Sequence, residues 1–176
     1  GTLQAEVLAR AHVDGATVEQ VVGGCIDQVG AQAANITRTA WLAAGLPISV
    51  AAATVDAQCG SSQQATNLAA ALVAAGVVDS ALGCGVESMS RVPLGAAVQA
   101  GPGRPIPKSY FEQYEYATQF EAAERIADKW GITRDDCDRF GLQSQERAAT
   151  AWQEGRFDPE VLPLDAPDLD DDGKPV

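Results

Sequence analysis

The sequence predicts an α/β layered domain. Three short apolar segments with strand character alternate with segments of helical periodicity, and glycine and proline punctuate the joins. The apolar residues are also small: 46% of the chain is hydrophobic but only 6% aromatic, with 17 glycines. An interior of this kind is built from closely approaching backbones more than from large side chains.

Gly1 to His12 reads as the end of a helix, because Leu3, Val7, Leu8 and Ala11 recur at helical spacing and nothing caps the start. Glu19 to Ile26 is a short buried strand, with Val21, Val22 and Ile26 around Gly23 and Gly24. Gln32 to Ala44 is a helix that Gly45 and Pro47 end. Ile48 to Val55 is a second strand and Ser61 to Ala75 a second helix, which carries no charge and should be buried on most sides. The third strand centres on Ala81 to Gly85. This strand–helix–strand–helix–strand order is what predicts the layered fold.

After Pro93 the texture changes. Gly95 to Lys108 is rich in Gly and Pro and reads as a loop. Helices follow at Phe120 to Trp130 and Arg134 to Glu154, the second capped by Thr133 with Asp136 reaching back, and stopped by Gly155. Leu164 to Lys174 holds five aspartates and reads as a solvated loop. The chain therefore divides into residues 1–92 and residues 93–176.

The net charge of -12 argues against nucleic acid, which needs a basic face. No segment is apolar enough to span a bilayer, and the chain reads as cytoplasmic. Its four cysteines, Cys25, Cys59, Cys84 and Cys137, form no C-x-x-C pair, and His12 is the only histidine, so neither a metal site nor a disulfide framework is expected. Cys25 and Cys84 sit in glycine-rich strand positions that require small side chains. Cys137 lies on a mostly polar helix with no base near it. Glu87, at the end of the third strand, is read as structural, holding backbone N–H groups or a subunit contact.

Cys59 stands apart. It lies in a strand-to-helix turn, where unpaired N–H groups and the helix dipole favour a thiolate. Free cysteine titrates near ~8.5, and such a position lowers that value. Gly60 leaves room beside the sulfur for a carbonyl, and the Cys59 N–H points where an oxyanion would form. Turn position alone leaves two readings open, a small buried residue or a nucleophile.

The longer pattern separates them. Ala57-Gln58-Cys59-Gly60-Ser61-Ser62-Gln63-Gln64-Ala65, followed by Gly83-Cys84-Gly85-Val86-Glu87-Ser88-Met89-Ser90-Arg91-Val92-Pro93, resembles the thiolase family. Gly24-Cys25-Ile26-Asp27-Gln28-Val29-Gly30 and the helix from Arg134 to Phe157 are similar to it as well. The resemblance implies a thiolase-like layered α/β/α fold with a mixed sheet, here incomplete, plus a mainly helical inserted loop domain that is cut short. Residues 1–92 would be part of the N-terminal domain, and 93–176 the loop-domain portion.

It also implies an activity. A 3-ketoacyl-CoA is cleaved to acetyl-CoA and a shortened acyl-CoA, or the reverse condensation runs, through an acyl-cysteine at Cys59. Coenzyme A is a substrate, and no cofactor is bound permanently. A catalytic histidine and a second cysteine come from a C-terminal half that these residues do not include. His12 matches no catalytic element of the family and reads as structural or exposed. Thr118-Gln119 stands where short-chain thiolases carry His-Met in the acyl pocket. Gln119 is therefore a candidate substrate-binding residue, and the departure suits a bulkier acyl group, as in thiolases of steroid side-chain degradation. The strand from Ile48 to Val55 resembles one that pairs with its copy, which implies a homodimer or a dimer of dimers.

Two alternatives accompany this expectation. Ketoacyl synthases share the fold and the nucleophile but resemble one another in an Ala-Cys-Ser-Ser motif, where this chain has Gln58-Cys59-Gly60-Ser61. A non-catalytic thiolase-like protein serving lipid binding or assembly would also lack the histidine and second cysteine.

Overall fold

The structure, a computed structural model, describes residues 1–99 and 102–166. The chain forms two compact units, Gly1–Ile106 and Pro107–Val176. The first holds α1 (Thr2–Ala11), β1 (Gln20–Gly24), α2 (Ile36–Ala43), β2 (Ala51–Val55), α3 (Ser61–Ala74), β3 (Ala81–Gly85) and α4 (Ala96–Gln99). The second holds α5 (Tyr110–Gln113), α6 (Gln119–Trp130) and α7 (Arg134–Gln153).

The strands lie in the order β2-β1-β3, and both pairings are parallel, with Val21 opposite Ala52 on one side and Leu82 on the other. The antiparallel strand that would make such a sheet mixed is not among the described residues. Parallel neighbours need crossover helices, and crossovers take the right-handed path. The chain steps one way from β1 to β2 and back past β1 to β3, so α2 and α3 fall on opposite faces. Strand alternation shows it. Val21 packs with Leu8, Val18, Trp41 and Val50, whereas Val22 packs with Ala65 and Ala69. Trp41 is fully buried, and its indole N–H donates to the Pro47 carbonyl at 2.9 Å.

Three local expectations change. The helix expected from Gln32 begins at Ile36, because Ala34 and Asn35 both take left-handed backbone angles (φ 56°) and the Asn35 side chain accepts from the Arg38 N–H. Asparagine tolerates that conformation and is a favoured N-cap. The strand expected from Ile48 begins at Ala51, since the Arg38 guanidinium takes the carbonyls of Ile48 and Val50 out of any ladder. Within the expected loop from Gly95 to Lys108, Ala96–Gln99 closes one helical turn.

A fourth concerns α3. Only the stripe Ser61, Ala65 and Ala69 is buried, while Gln63, Asn67, Ala70 and Ala74 are exposed. The sheet covers one side of the helix, and no described element covers the other, so burial on most sides is not what these residues show.

In the second unit Thr118 caps α6, its hydroxyl accepting from the Glu121 N–H at 3.2 Å. The Thr133–Asp136 capping box is present in both directions, at 3.2 and 2.9 Å, and Gly155 (φ 66°) follows α7. The Thr133 hydroxyl, which also donates to the Asp136 carboxylate at 2.6 Å, the Thr133 N–H and the nearby Arg139 hold that carboxyl below the usual range. Most of the acidic run expected between Leu164 and Lys174 lies outside the described residues. Among the described residues no helix is long and apolar enough to cross a membrane.

Candidate acyl-transfer site

Asp56 to Gly60 connects β2 to α3, and its shape is fixed by short-range hydrogen bonds. The Asp56 carboxylate accepts from the Gln58 N–H at 2.7 Å. The buried Ser61 hydroxyl accepts from the Ala57 N–H at 3.0 Å and donates to the Gln58 carbonyl at 2.5 Å. Gln58 is thereby held at φ 52°, a left-handed conformation that a glutamine adopts only under constraint. The next residue, Cys59, is exposed. Gly60 caps α3 without a side-chain hydrogen bond, so no capping side chain occupies the positive end of the helix.

Two glycines let α3 sit against the strand ends. A Cβ on Gly24 would lie 2.4 Å from the Ser61 carbonyl carbon and the Ser62 nitrogen. One on Gly85 would lie 1.8 Å from the Ser62 hydroxyl oxygen. Glycine at these two positions is thus a condition of the site. The result is an open cleft of about 230 Å³ at the carboxyl ends of β1 and β3, where Gly24 and Ile26, Val86 and Glu87, and Cys59 and Ser62 meet. The strand order reverses between β1 and β3, and open α/β sheets bind ligands at such a point.

Behind the cleft lies a polar network. Glu87 accepts from the Ile26 N–H and from the Gln32 amide at 3.1 Å. Gln32, buried, also donates to the Asp27 carbonyl at 2.9 Å and accepts from the Ser88 N–H at 2.7 Å. Asp27, buried as well, accepts from the N–H groups of Gly95 and Ala97 at 3.0 and 2.8 Å. Glu87 therefore holds a backbone N–H, as its place at the strand end suggested. Gln32 and Asp27 were not singled out from the sequence. The only signal for them there is a polar residue soon after an apolar strand, and it does not name partners.

The other thiols differ from Cys59. Cys25 is fully buried beside Glu87. Burial first, and then the negative charge and hydrogen bond of Glu87, push its thiol up to about 11, with Asp27 and Asp56 adding to the effect. Cys84 packs against the core cluster, receives a contact from the Gln4 amide at 3.6 Å, and is also pushed up by burial. Cys84 on β3 occupies the packing position a small strand residue should, and Cys25, expected within the first strand, follows directly after β1 and is buried. Cys137 is exposed on α7 and Gln119 is the exposed first residue of α6, both in the second unit. His12 is exposed at the end of α1.

The thiolate is the reactive form, and a thiol raised to about 11 stays protonated at neutral pH. Iodoacetamide at about pH 8 should therefore label Cys59 in the native protein and spare Cys25 until unfolding. Peptide mapping before and after denaturant checks this, and native labelling of Cys25 would contradict its described surroundings.

The family described as thiolase, N-terminal domain, matches residues 2–176. A steroid 3-ketoacyl-CoA thiolase of Mycobacterium tuberculosis is 39% identical over 167 residues, covering 90% of this chain and 41% of the relative. A beta-ketoadipyl-CoA thiolase of Acinetobacter baylyi is 36% identical, covering 93% of this chain and 44% of its own length. A 3-ketoacyl-CoA thiolase of Bacillus subtilis is 33% identical, covering 97% and 44%. The chain thus spans less than half the length of these relatives.

Proposed function

Since the chain belongs to the thiolase family, we propose that it carries the acyl-accepting part of an acyl-CoA acyltransferase and that Cys59 is the nucleophile. The observation that supports this most is the exposed Cys59 on a constrained turn at the uncapped start of α3, facing a cleft at the strand ends.

The chemistry follows from that placement. The Cys59 thiolate adds to the C3 carbonyl of a 3-ketoacyl-CoA, and collapse of the adduct breaks the C2–C3 bond. The acyl group stays on sulfur, and the departing acetyl-CoA carbanion takes a proton. The thiolate of a second coenzyme A then attacks the acyl-cysteine and returns Cys59 to its thiolate. Condensation is the same sequence reversed. A histidine to take the Cys59 proton and a second cysteine to protonate the carbanion are supplied outside these 176 residues.

The acyl group is bulkier than acetoacetyl, with Gln119 in its pocket. The motivation is the departure from His-Met at Thr118-Gln119, together with a relative that acts on steroid 3-ketoacyl-CoA. The protein works in the cytoplasm as a homodimer or a dimer of dimers. β2 is the strand offered for pairing, since Val55 and Ala51 bond inward to β1 and Ala52 and Thr54 turn to the free edge. Part of that edge is already used, because the Asn35 amide donates to the Ala52 carbonyl at 3.0 Å.

One experiment tests both the thiol and the substrate. The full-length protein is incubated with acetoacetyl-CoA and, separately, with a branched or steroidal 3-ketoacyl-CoA, and peptides are mapped by mass spectrometry. The acyl adduct should appear on the Cys59 peptide and form faster with the bulky substrate. No adduct with any substrate would favour a lipid-binding or assembly role. Faster reaction with acetoacetyl-CoA would remove the substrate assignment alone.

A further inference from the structure

We propose that Gln32 is a positioning residue of the Cys59 site, holding the Glu87 carboxylate in the cleft wall through one buried amide. The inference rests on Cys59 being the reacting thiol.

The geometry carries it. Gln32 is buried, and its amide is engaged at both ends: the nitrogen donates to Glu87 at 3.1 Å and to the Asp27 carbonyl at 2.9 Å, while the oxygen accepts from the Ser88 N–H at 2.7 Å. The same nitrogen also lies 3.5 Å from the Cys25 sulfur. It therefore grips the carboxylate and the backbone on either side of it, while Glu87 in turn holds the Ile26 N–H. Ile26 and Glu87 both line the cleft that Cys59 faces. No described ion pair includes Glu87, so its place in the wall depends on these neutral donors. Cys25, beside Glu87, also feels Asp27 after β1 and Asp56 in the turn before α3, and Cys59 lines the same cleft as Glu87.

An amide is the side chain this position requires. It offers a donor to a carboxylate and an acceptor to an N–H in a fixed fork. Glutamate has the same shape and still accepts from Ser88, but it places a second carboxylate against Glu87. The two repel, Glu87 leaves its position, and the cleft gains negative charge beside the sulfur. A Cys59 thiolate is then harder to form.

The test is the pH profile of Cys59 alkylation by iodoacetamide in the full-length protein, read by peptide mass spectrometry and paired with turnover of a 3-ketoacyl-CoA. In Gln32→Glu the profile should move to higher pH, slowing alkylation below its midpoint by about threefold, which is half a pKa unit. Turnover should fall about tenfold, the effect of a small misplacement at a reacting centre. The exchange variant Gln32→Glu with Glu87→Gln removes the paired carboxylates, though not the loss of the donor to the Asp27 carbonyl, and should bring the profile part of the way back. A purely structural role would lower stability without moving the midpoint.

A profile in folded Gln32→Glu that superimposes on the wild type overturns the proposal. Where Gln32→Glu does not fold, Glu87→Gln alone decides: faster alkylation below the midpoint supports a charge held in the wall, and an unchanged rate overturns it. A wild-type protein that turns over no 3-ketoacyl-CoA, yet shows the shift and its rescue, overturns the thiolase reading and leaves the role of Gln32 standing.

Discussion

Replacing Cys59 with serine in the full-length protein should lower turnover of a 3-ketoacyl-CoA by about a thousandfold or more and abolish the acyl adduct. Serine keeps the size of the side chain and the turn around it. The Asp56, Ser61 and Gln58 bonds involve backbone groups and neighbouring side chains, none of them the Cys59 sulfur. Stability should therefore change little, which separates lost chemistry from lost fold. What disappears is the thiolate. A serine hydroxyl stays protonated in the conditions where a thiol ionises, and its ester with an acyl group is a poorer donor to coenzyme A than a thioester. Turnover by a coupled assay and unfolding in urea, measured on the same preparation, check both halves. Activity within tenfold of the wild type would mean that another group receives the acyl chain.

The second large effect is structural in origin. Gly24→Ala should destabilise the protein by about 3 kcal/mol and remove most of its activity. The added methyl would meet backbone atoms of Ser61 and Ser62 at 2.4 Å, and backbone at the start of a helix cannot step aside as a side-chain end can. Relief requires moving the first turn of α3 away from the sheet, and Cys59 is carried with that turn. Gly60→Ala is the control for stability. A Cβ there meets only the Ala57 carbonyl oxygen at 3.4 Å, ordinary contact, so denaturant midpoints should separate the two variants clearly. Equal midpoints would show that the helix end is more yielding than its contacts suggest.

The layered fold was legible because its signals are local. Val21 and Val22 beside glycines, an uncharged alanine-rich helix, and Gly45 with Pro47 after α2 each report on their own neighbourhood. The setting of Cys59 was legible for the same reason, since one turn and one helix start define it. Gln32 was not. Its partners Glu87 and Ser88 lie 55 and 56 residues away, and no periodicity reports such a bond. The late start of α2 had a local cause, the left-handed Ala34-Asn35 pair, but alanine and glutamine before it favour helix strongly enough to hide it. For α3, absence of charge said what the helix avoids, not which described element covers it.

The cleft draws its lining from Gly24 and Ile26, from four residues between Gln58 and Ser62, and from Gly85 to Glu87, three stretches separated by long intervening chain. Closing such loops costs entropy before any contact rewards it, so parallel pairing between distant strands comes late in folding. Helix α3 and its cysteine can form early, but the wall opposite them exists only once β3 has docked beside β1. A nascent chain that has emerged as far as Ala81 carries Cys59 without a cleft to work in. The wall that faces this thiol is thus completed only when β3, the last of the three described strands, docks beside β1.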